Sequence, residues 1–361
     1  MSEQEELGKI RDTIDSIDKQ IHRLLNQRAE AAQEVARIKL SANPDAIFYR
    51  PEREAQVLRM VKERNEGPLG DEEVARLFRE IMSACLALEY PQNIAYLGPE
   101  GTFTQAAALK HFGHSVRTQS LSSISDVFQE VELGKCDYGV VPVENSTEGV
   151  VSHTLDMFLN SPLRITGEVS LRIHHNLLAK GEDLKALKTV YSHQQSLAQC
   201  RGWLDRHLPF VERVPVGSNA EAARLASESE DAGAIASEMA AELYGLTNLQ
   251  PNIEDEAGNT TRFLVIGKQE TEASGRDKTS LLLSTRNEAG GLYRILSPLS
   301  EHNISMSRIE SRPSRRGAWD YVFFIDIEGH RDDAHVQKAL NDLRSVSGMY
   351  KELGSYPKAE L

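Results

Sequence analysis

The chain has 361 residues, long enough for two or three domains, since single cores stop growing well below that length. Its formal net charge of -13 argues against wholesale nucleic-acid binding, while leaving room for a local Arg pocket that takes small anions. No apolar run reaches the ~20 residues a bilayer span needs, and Cys85, Cys136 and Cys200 are too scattered for a disulfide framework or a metal cluster.

The opening MSEQEELGKI is acidic and lacks an apolar core, so it does not read as a secretory signal, and a cytoplasmic location is expected. Residues 6–40 contain no Pro. Their apolar residues Leu7, Ile10, Ile14, Ile17, Ile21, Leu24, Leu25, Val35 and Ile38 recur mainly at helical spacing. A helix of that length spans about 50 Å and would expose its stripe if alone. Two more helical segments, roughly 50–64 and 71–89, flank the break Gly67-Pro68-Leu69-Gly70. Three helices in ninety residues form a poor monomeric core, so a dimer that interleaves the long helices is expected.

At Pro91 the character changes. Ile94–Gly98 reads as a strand entering a Gly/Pro turn, followed by a helix around Thr104–Phe112. Strand and helix signals then alternate through Asp137–Pro142, Leu187–Tyr191, Leu197–His207, Asn219–Ser227, Gly233–Ile235, Met239–Tyr244 and Arg262–Gly267, which predicts an α/β layer structure. Residues 93–268 suffice for two lobes with a cleft. Lys268–Lys278, rich in charge, Ser and Gly, reads as a linker. Beyond it, Thr279–Thr285, Leu292–His302, Ile304–Arg312, Tyr321–Ile327, Val336–Leu343 and Tyr350–Gly354 follow the order β-α-β-β-α-β. That order predicts a four-stranded antiparallel sheet with helices on one face.

Arg28 and Lys39 are three turns apart and share a helix face, about 16 Å apart along the axis. Arg11 and Arg28 are about 25 Å apart, which no small ligand bridges within one helix. If both serve one site, Arg11 comes from a second subunit; otherwise each is a solvated helix residue. A cluster of Arg and Lys suits a dicarboxylate, because the guanidinium fork matches a carboxylate. In the α/β region, Val141–Gly149, Tyr191–Gln195 and Asp255–Phe263 are polar strand exits. Each reads either as a loop with a helix cap or as part of a cleft at strand ends. No serine-triad motif, phosphate loop or metal spacing occurs.

The helical region resembles the all-helical chorismate mutase family in Ile14-Asp15-x-x-Asp18, Leu24-x-x-x-Arg28, Val35-x-x-x-Lys39 and Pro51-Glu52-Arg53-Glu54. The resemblance implies that Arg11, Arg28, Lys39 and Arg53 hold the carboxylates and ether oxygen of chorismate, and Glu54 a hydroxyl. Glu89 stands where many relatives carry Gln, Cys85 where Ser is common, and Arg50 where some carry Asp. Residues 94–267 resemble prephenate dehydratase through Ala95–Phe103 and the three polar clusters. That family has two lobes like a periplasmic binding protein. Its Thr-Arg-Phe motif falls on Thr261, Arg262 and Phe263, with Thr261 as donor to the departing hydroxyl. Glu144, Asn145, Ser146, Thr147, Ser192 and Gln195 would line the cleft, and Gln194 replaces a common Pro.

The last segment resembles an ACT domain of the phenylalanine-binding kind, in Asn287-Glu288-Ala289-Gly290-Gly291-Leu292-Tyr293 and Glu310-Ser311-Arg312-Pro313. Together the three parts resemble the bacterial P-protein family. The expected fold is therefore multidomain: all-α mutase helices over 1–91, a two-lobed α/β dehydratase over 93–268, and an α+β ferredoxin-like ACT domain over 278–361. The implied ligands are chorismate, prephenate and L-phenylalanine, the last as feedback inhibitor. A homodimer or dimer of dimers is expected, with no cofactor, metal, nucleic acid or membrane. The competing reading is a two-lobed small-molecule receptor with an appended dimerisation helix; the Glu144–Gly149 and Thr261–Phe263 clusters disfavour it.

Overall fold

In the computed structural model, residues 3–44, 46–285, 289–313 and 321–359 are described. The polypeptide divides into two compact units. Helices α1 (Glu3–Ala42) and α3 (Asp71–Glu89), with α2 (Pro51–Glu63) from Gln56 onward, make up most of the first, and Pro51–Ala55 belong to the second. Pro51 supplies a preset φ at the first helical position of α2, and Glu52 and Glu54 favour its positive N-terminus. Asp71, Glu72 and Glu73 do the same for α3 after the Gly/Pro break. One face of α1 packs on α3. Another face exposes Leu7, Ile10, Ile14, Ile17, Ile21 and Leu24, in alternating steps of three and four, and Val35 and Ile38 continue it. Arg28 falls in step with that stripe.

The second unit holds three sheets. The first is built from β1 (Asn93–Leu97), α4 (Phe103–Phe112), β2 (Arg117–Leu121), α5 (Ile124–Glu132), β3 (Tyr138–Asn145), β4 (Gly149–Val150), α6 (Ser152–Phe158) and β5 (Arg164–Arg172). The second comes from β6 (Asn176–Ala179), β7 (Thr189–His193), α7 (Gln194–Gln199), α8 (Arg201–His207), β8 (Glu212–Val216), α9 (Asn219–Ala226), β9 (Ala232–Ala236), α10 (Glu238–Tyr244) and β10 (Thr247–Gln250). Strand β11 (Thr260–Gly267) returns to the first sheet, whose order is β2-β1-β3-β11-β5 with β4 beside β3; the second is β10-β6-β9-β7-β8. Serines cap the helices: Ser123, Ser218 and Ser237 accept from the backbone N–H groups of Asp126, Glu221 and Ala240.

The C-terminal module follows as β12 (Asp277–Ser284), α11 (Gly291–Glu301), β13 (Met306–Pro313), β14 (Tyr321–Glu328), α12 (Ala334–Val346) and β15 (Met349–Pro357). Its sheet is antiparallel, in the order β13-β14-β12-β15. Strand alternation gives it two apolar faces. Leu281, Leu283, Ile325 and Ile327 pack beneath α11 and α12, with Ile295, Leu299, Leu340 and Leu343. Leu282, Val322, Phe324 and Leu353 instead join Phe158, Ile165, Leu264 and Ile266 in the core of the first α/β sheet. At Gly354 a side chain would stand 2.2 Å from the Ile165 carbonyl oxygen, so β15 approaches β5 closely only because that residue is Gly.

Two expectations need correction. Lys268–Lys278 is no free linker: Thr271 and Ser274 are buried, and the N–H groups of Ser274 and Gly275 donate to Asp277 Oδ2 at 2.9 Å each. Charge and Ser/Gly content imitated a linker there. Strand β3 also continues past Pro142 to Asn145, because β11 and β4 both pair with its polar end.

Candidate functional site

Thr261 and Asn145 face each other in register across β11 and β3. They lie on the wall of a cavity of about 540 Å³, lined by the first sheet on one side and by α7 and the capped starts of α9 and α10 on the other. Asn145 is held in one orientation. Its Oδ1 accepts from the backbone N–H groups of Thr147 and Glu148, both at 3.0 Å, in the turn between β3 and β4. The amide nitrogen therefore points the other way. Its two hydrogens go to Asn259 Oδ1 and Thr261 Oγ1, each at 2.8 Å. Thr261 thus accepts from Asn145, and no described group takes the Thr261 hydroxyl hydrogen, leaving it as a donor beside the cavity.

The chain of amides continues. Asn259 Nδ2 donates to Gln199 Oε1 at 3.2 Å, and Gln199 Nε2 donates to Glu148 Oε1 at 3.1 Å. His175 Nε2 lies 2.7 Å from the same Gln199 oxygen, so the donating tautomer carries its hydrogen there. Burial pushes the His175 imidazole below its ordinary value, against the opposing pull of Gln199 and Glu254. Ser218 and Asn219, at the N-terminus of α9, also line the cavity and offer a favourable end for a carboxylate.

The residues expected from sequence are distributed as follows. Asn145, Gln195, Thr261 and Phe263 line the cavity. Ser192 is fully buried behind it, its one hydroxyl hydrogen lying between two acceptors, the Ile235 carbonyl at 2.8 Å and Asn219 Oδ1 at 2.9 Å. Ser146 Oγ accepts from the Thr260 N–H at 2.9 Å, and Thr147 is exposed in the turn. Glu144 and Arg262 do not line it. They point to the other face of the sheet, where Glu144 pairs with Arg308 at 2.8 Å and Arg262 with Glu168 at 2.8 Å and Asp326 at 2.6 Å. Alternation along a strand explains this, once β3 is seen to extend through Asn145. Sequence reasoning missed His175, Gln199, Asn219 and Asn259. Asn259 stood inside a polar cluster already noted, and Gln199 lies about one helical turn beyond Gln195, so a helical reading of 194–199 would have found it.

In the helical unit, α1 carries exposed Arg11 and Arg28 and partly buried Lys39. The Lys39 ammonium donates to the Ile47 carbonyl at 3.1 Å and sits 5.4 Å from the centre of the Phe48 ring. Arg28 and Lys39 both act on Glu89 of α3. Burial raises that carboxyl above its ordinary value, and the two cations pull it back only in part. Cys85 is buried one turn earlier on α3, and Arg11 lies far along α1 from this group. Arg53 and Glu54 occupy the first turn of α2.

In the C-terminal module, Ala289 and Gly290 precede α11, with Gly290 left-handed at φ 76° as its N-cap and Gly291 beginning the helix. Leu292 is partly exposed beside them. Glu288 lies outside the described residues. Glu310, Ser311, Arg312 and Pro313 end β13, and Arg312 reaches α6, bonding Ser152 and pairing with Asp156 at 3.2 Å. Among the described residues no group of carboxylates, His and Cys has the makings of a metal site. No helix among them is long and apolar enough to cross a membrane.

Comparison with known proteins agrees with this arrangement. Family models for chorismate mutase type II, prephenate dehydratase and the ACT domain match residues 10–90, 94–271 and 279–345. The bifunctional chorismate mutase/prephenate dehydratase of Stutzerimonas stutzeri is 55% identical over 100% of both chains, and that of Pseudomonas aeruginosa 53% over the same extent. Among solved structures, prephenate dehydratase of Arthrobacter aurescens in complex with L-Phe is 34% identical, with a TM-score of 0.68. That match covers 73% of this chain and 89% of the other. The chain belongs to the family of bifunctional chorismate mutase/prephenate dehydratases.

Proposed function

We propose that the chain carries out two successive steps of L-phenylalanine biosynthesis in the cytoplasm, from chorismate to prephenate and from prephenate to phenylpyruvate. The observation that carries this reading is full-length similarity to bifunctional relatives, joined to an oriented Thr261 hydroxyl on a cavity wall. In the mutase step, Arg11 from a second subunit joins Arg28, Lys39 and Arg53 around the substrate carboxylates and ether oxygen. Glu54 takes a hydroxyl, Cys85 lies behind, and protonated Glu89 donates to the ether oxygen. The rearrangement needs no nucleophile. Holding the compact conformer and stabilising charge on the breaking C–O bond suffice.

In the dehydratase step, loss of carbon dioxide sends its bonding electrons into the ring, and the ring hydroxyl departs as hydroxide, which takes a proton to become water. Aromatisation drives the step. Thr261 donates a hydrogen bond to the departing oxygen while Asn145 holds Thr261 Oγ1 from behind. Phe263 walls the ring, and Ser218 and Asn219 at the α9 N-terminus receive a carboxylate. Ser146, Thr147 and Ser192 shape the cavity through the groups they hold. The two sheets act as lobes in the manner of periplasmic binding proteins. L-Phenylalanine binds at residues 288–292 and at the Glu310–Pro313 strand end, between modules of two subunits, and inhibits dehydration. The test is direct: purified chain is supplied with chorismate and with prephenate in separate assays. Formation of prephenate in the first and phenylpyruvate in the second is expected; binding of prephenate without turnover would favour the receptor reading.

A further inference from the structure

The strand pair that carries Thr261 and Asn145 into the cavity carries Arg262 and Glu144 out of it. Arg262 stands opposite Glu144 in the register, one step from the Thr261–Asn145 pair, and a bulge follows before Phe263 meets Pro142. Both outward side chains are gripped by the ACT module. Arg262 Nη1 donates to Asp326 Oδ2 on β14 at 2.6 Å, and Nη2 to the Tyr356 hydroxyl on β15 at 3.1 Å. Glu144 accepts from Arg308 Nε on β13 at 2.8 Å.

The cluster is dense and mostly buried. Glu168 on β5 takes Arg262 Nε at 2.8 Å and Lys278 Nζ at 2.9 Å, and its side chain is only 2% exposed. Ser280 donates to Asp326 Oδ1 at 2.5 Å and shares a hydrogen with the Tyr356 hydroxyl at 2.7 Å. Two cations and two carboxylates therefore balance inside a shell of hydroxyls. Burial opposes the charged forms of Arg262 and Asp326, yet each is held more firmly charged than usual by its partners. Such a cluster does not stretch gradually. Removing one partner leaves a buried charge uncompensated, so its geometry is closely fixed.

We propose that Arg262 is a positioning residue for the dehydration step, and that its ion pair with Asp326, seconded by Arg308 to Glu144, lets the ACT module set the geometry of the Thr261–Asn145 pair. The proposal rests on the assignment of that cavity as the dehydratase site. Each gripped residue is the direct chain neighbour of a cavity residue, so a shift of β13 or β14 reaches the donor hydroxyl through one peptide unit. Ordinary structural ion pairing would predict loss of stability alone. Positioning predicts loss of turnover in molecules that remain folded.

The experiment uses the full chain with Asp326→Asn, Asp326→Glu and Arg308→Gln. Prephenate kcat and KM are measured separately, thermal unfolding shows that each variant is folded at the assay temperature, and chorismate mutase turnover in the same preparations serves as the control for the other unit. Asp326→Asn is expected to lower dehydratase kcat about tenfold or more, with KM and mutase turnover within about twofold of the parent, and Asp326→Glu to restore part of the loss. Arg308→Gln removes the partner of Glu144, whose side chain is 40% exposed, together with a mostly buried cation that also helps hold Asp326 charged, and a drop in kcat of about threefold or more is expected in chains that remain folded. Unchanged kcat in folded Arg308→Gln and Asp326→Asn chains would overturn the proposal, as would losses confined to KM. A parent chain that turns over prephenate equally well with Thr261→Ala would instead refute the site assignment on which it rests.

Discussion

Burial lifts the Glu89 carboxyl above the ordinary carboxylate range, while Lys39 and Arg28 pull it down and only partly succeed. A Glu can donate to an ether oxygen only when protonated, whereas Gln donates at any pH. The sign follows directly: mutase turnover is highest while Glu89 is protonated and falls as pH rises through its raised folded value. Glu89→Gln should flatten that fall and leave dehydratase turnover unchanged, as a pH–rate profile of both activities will record. An unaltered slope would remove Glu89 from the ether oxygen. Asn145 makes a contrasting case, because its role was legible as a residue type but not as a geometry. The sequence Glu144-Asn145-Ser146-Thr147 announces a polar strand end. Only the N–H groups of Thr147 and Glu148 decide which end of the amide meets Thr261.

At the scale of elements, the long helix was plain in the sequence because its period persists over ten turns, and propensity, charge and the absence of Pro all agree. Strand β3 was legible only as far as Pro142. A Pro and a Val followed by five polar residues and a Gly argue for a turn, and nothing local reveals that β11 and β4 pair with the stretch beyond Pro142. That extension matters, since it sends Glu144 and Arg262 to the face opposite Asn145 and Thr261. The exposed stripe of α1 makes its own demand. Six large apolar residues from Leu7 to Leu24 in steps of three and four need a second helix, and another copy of α1 offers the same pattern. Arg11→Ala and Arg28→Ala chains, each lacking mutase turnover alone, should regain part of it when mixed and allowed to exchange. Proven heterodimers with no recovery would mean that each site is built within one subunit.

For the whole molecule, the order β-α-β-β-α-β foretold the ACT sheet and its helix-covered face. It could not foretell that the other face is shared. Leu282, Val322, Phe324 and Leu353 sit in one core with Phe158, Ile165 and Leu264, and Lys351 donates to the carbonyls of Phe158 and Ser161 at 2.7 and 2.6 Å. A chain ending before Asp277 should therefore do more than lose regulation. It exposes that apolar face and strands Glu168 beside Arg262 without their ACT partners, a loss of several kcal/mol at the scale of buried charge pairs. Thermal unfolding should show the dehydratase region markedly destabilised; an unchanged melting temperature would contradict the shared core. The shared core gives the two sites a route for coupling, and linkage makes any coupling reciprocal: an unreactive prephenate analogue should weaken L-phenylalanine binding by the factor with which L-phenylalanine weakens the analogue. Calorimetry of each ligand with and without the other reads both factors, and independent affinities would rule the coupling out.

Two reactions meet in one chain, and the second is predicted to depend on the Thr261 hydroxyl. Thr261→Ala, assayed on chorismate and prephenate side by side, tests it most directly. Removing a donor aimed at developing charge should cut prephenate turnover by about 10²–10³, while chorismate turnover and the unfolding temperature stay near those of the parent. Prephenate turnover within about threefold of the parent, at saturating substrate, would contradict it.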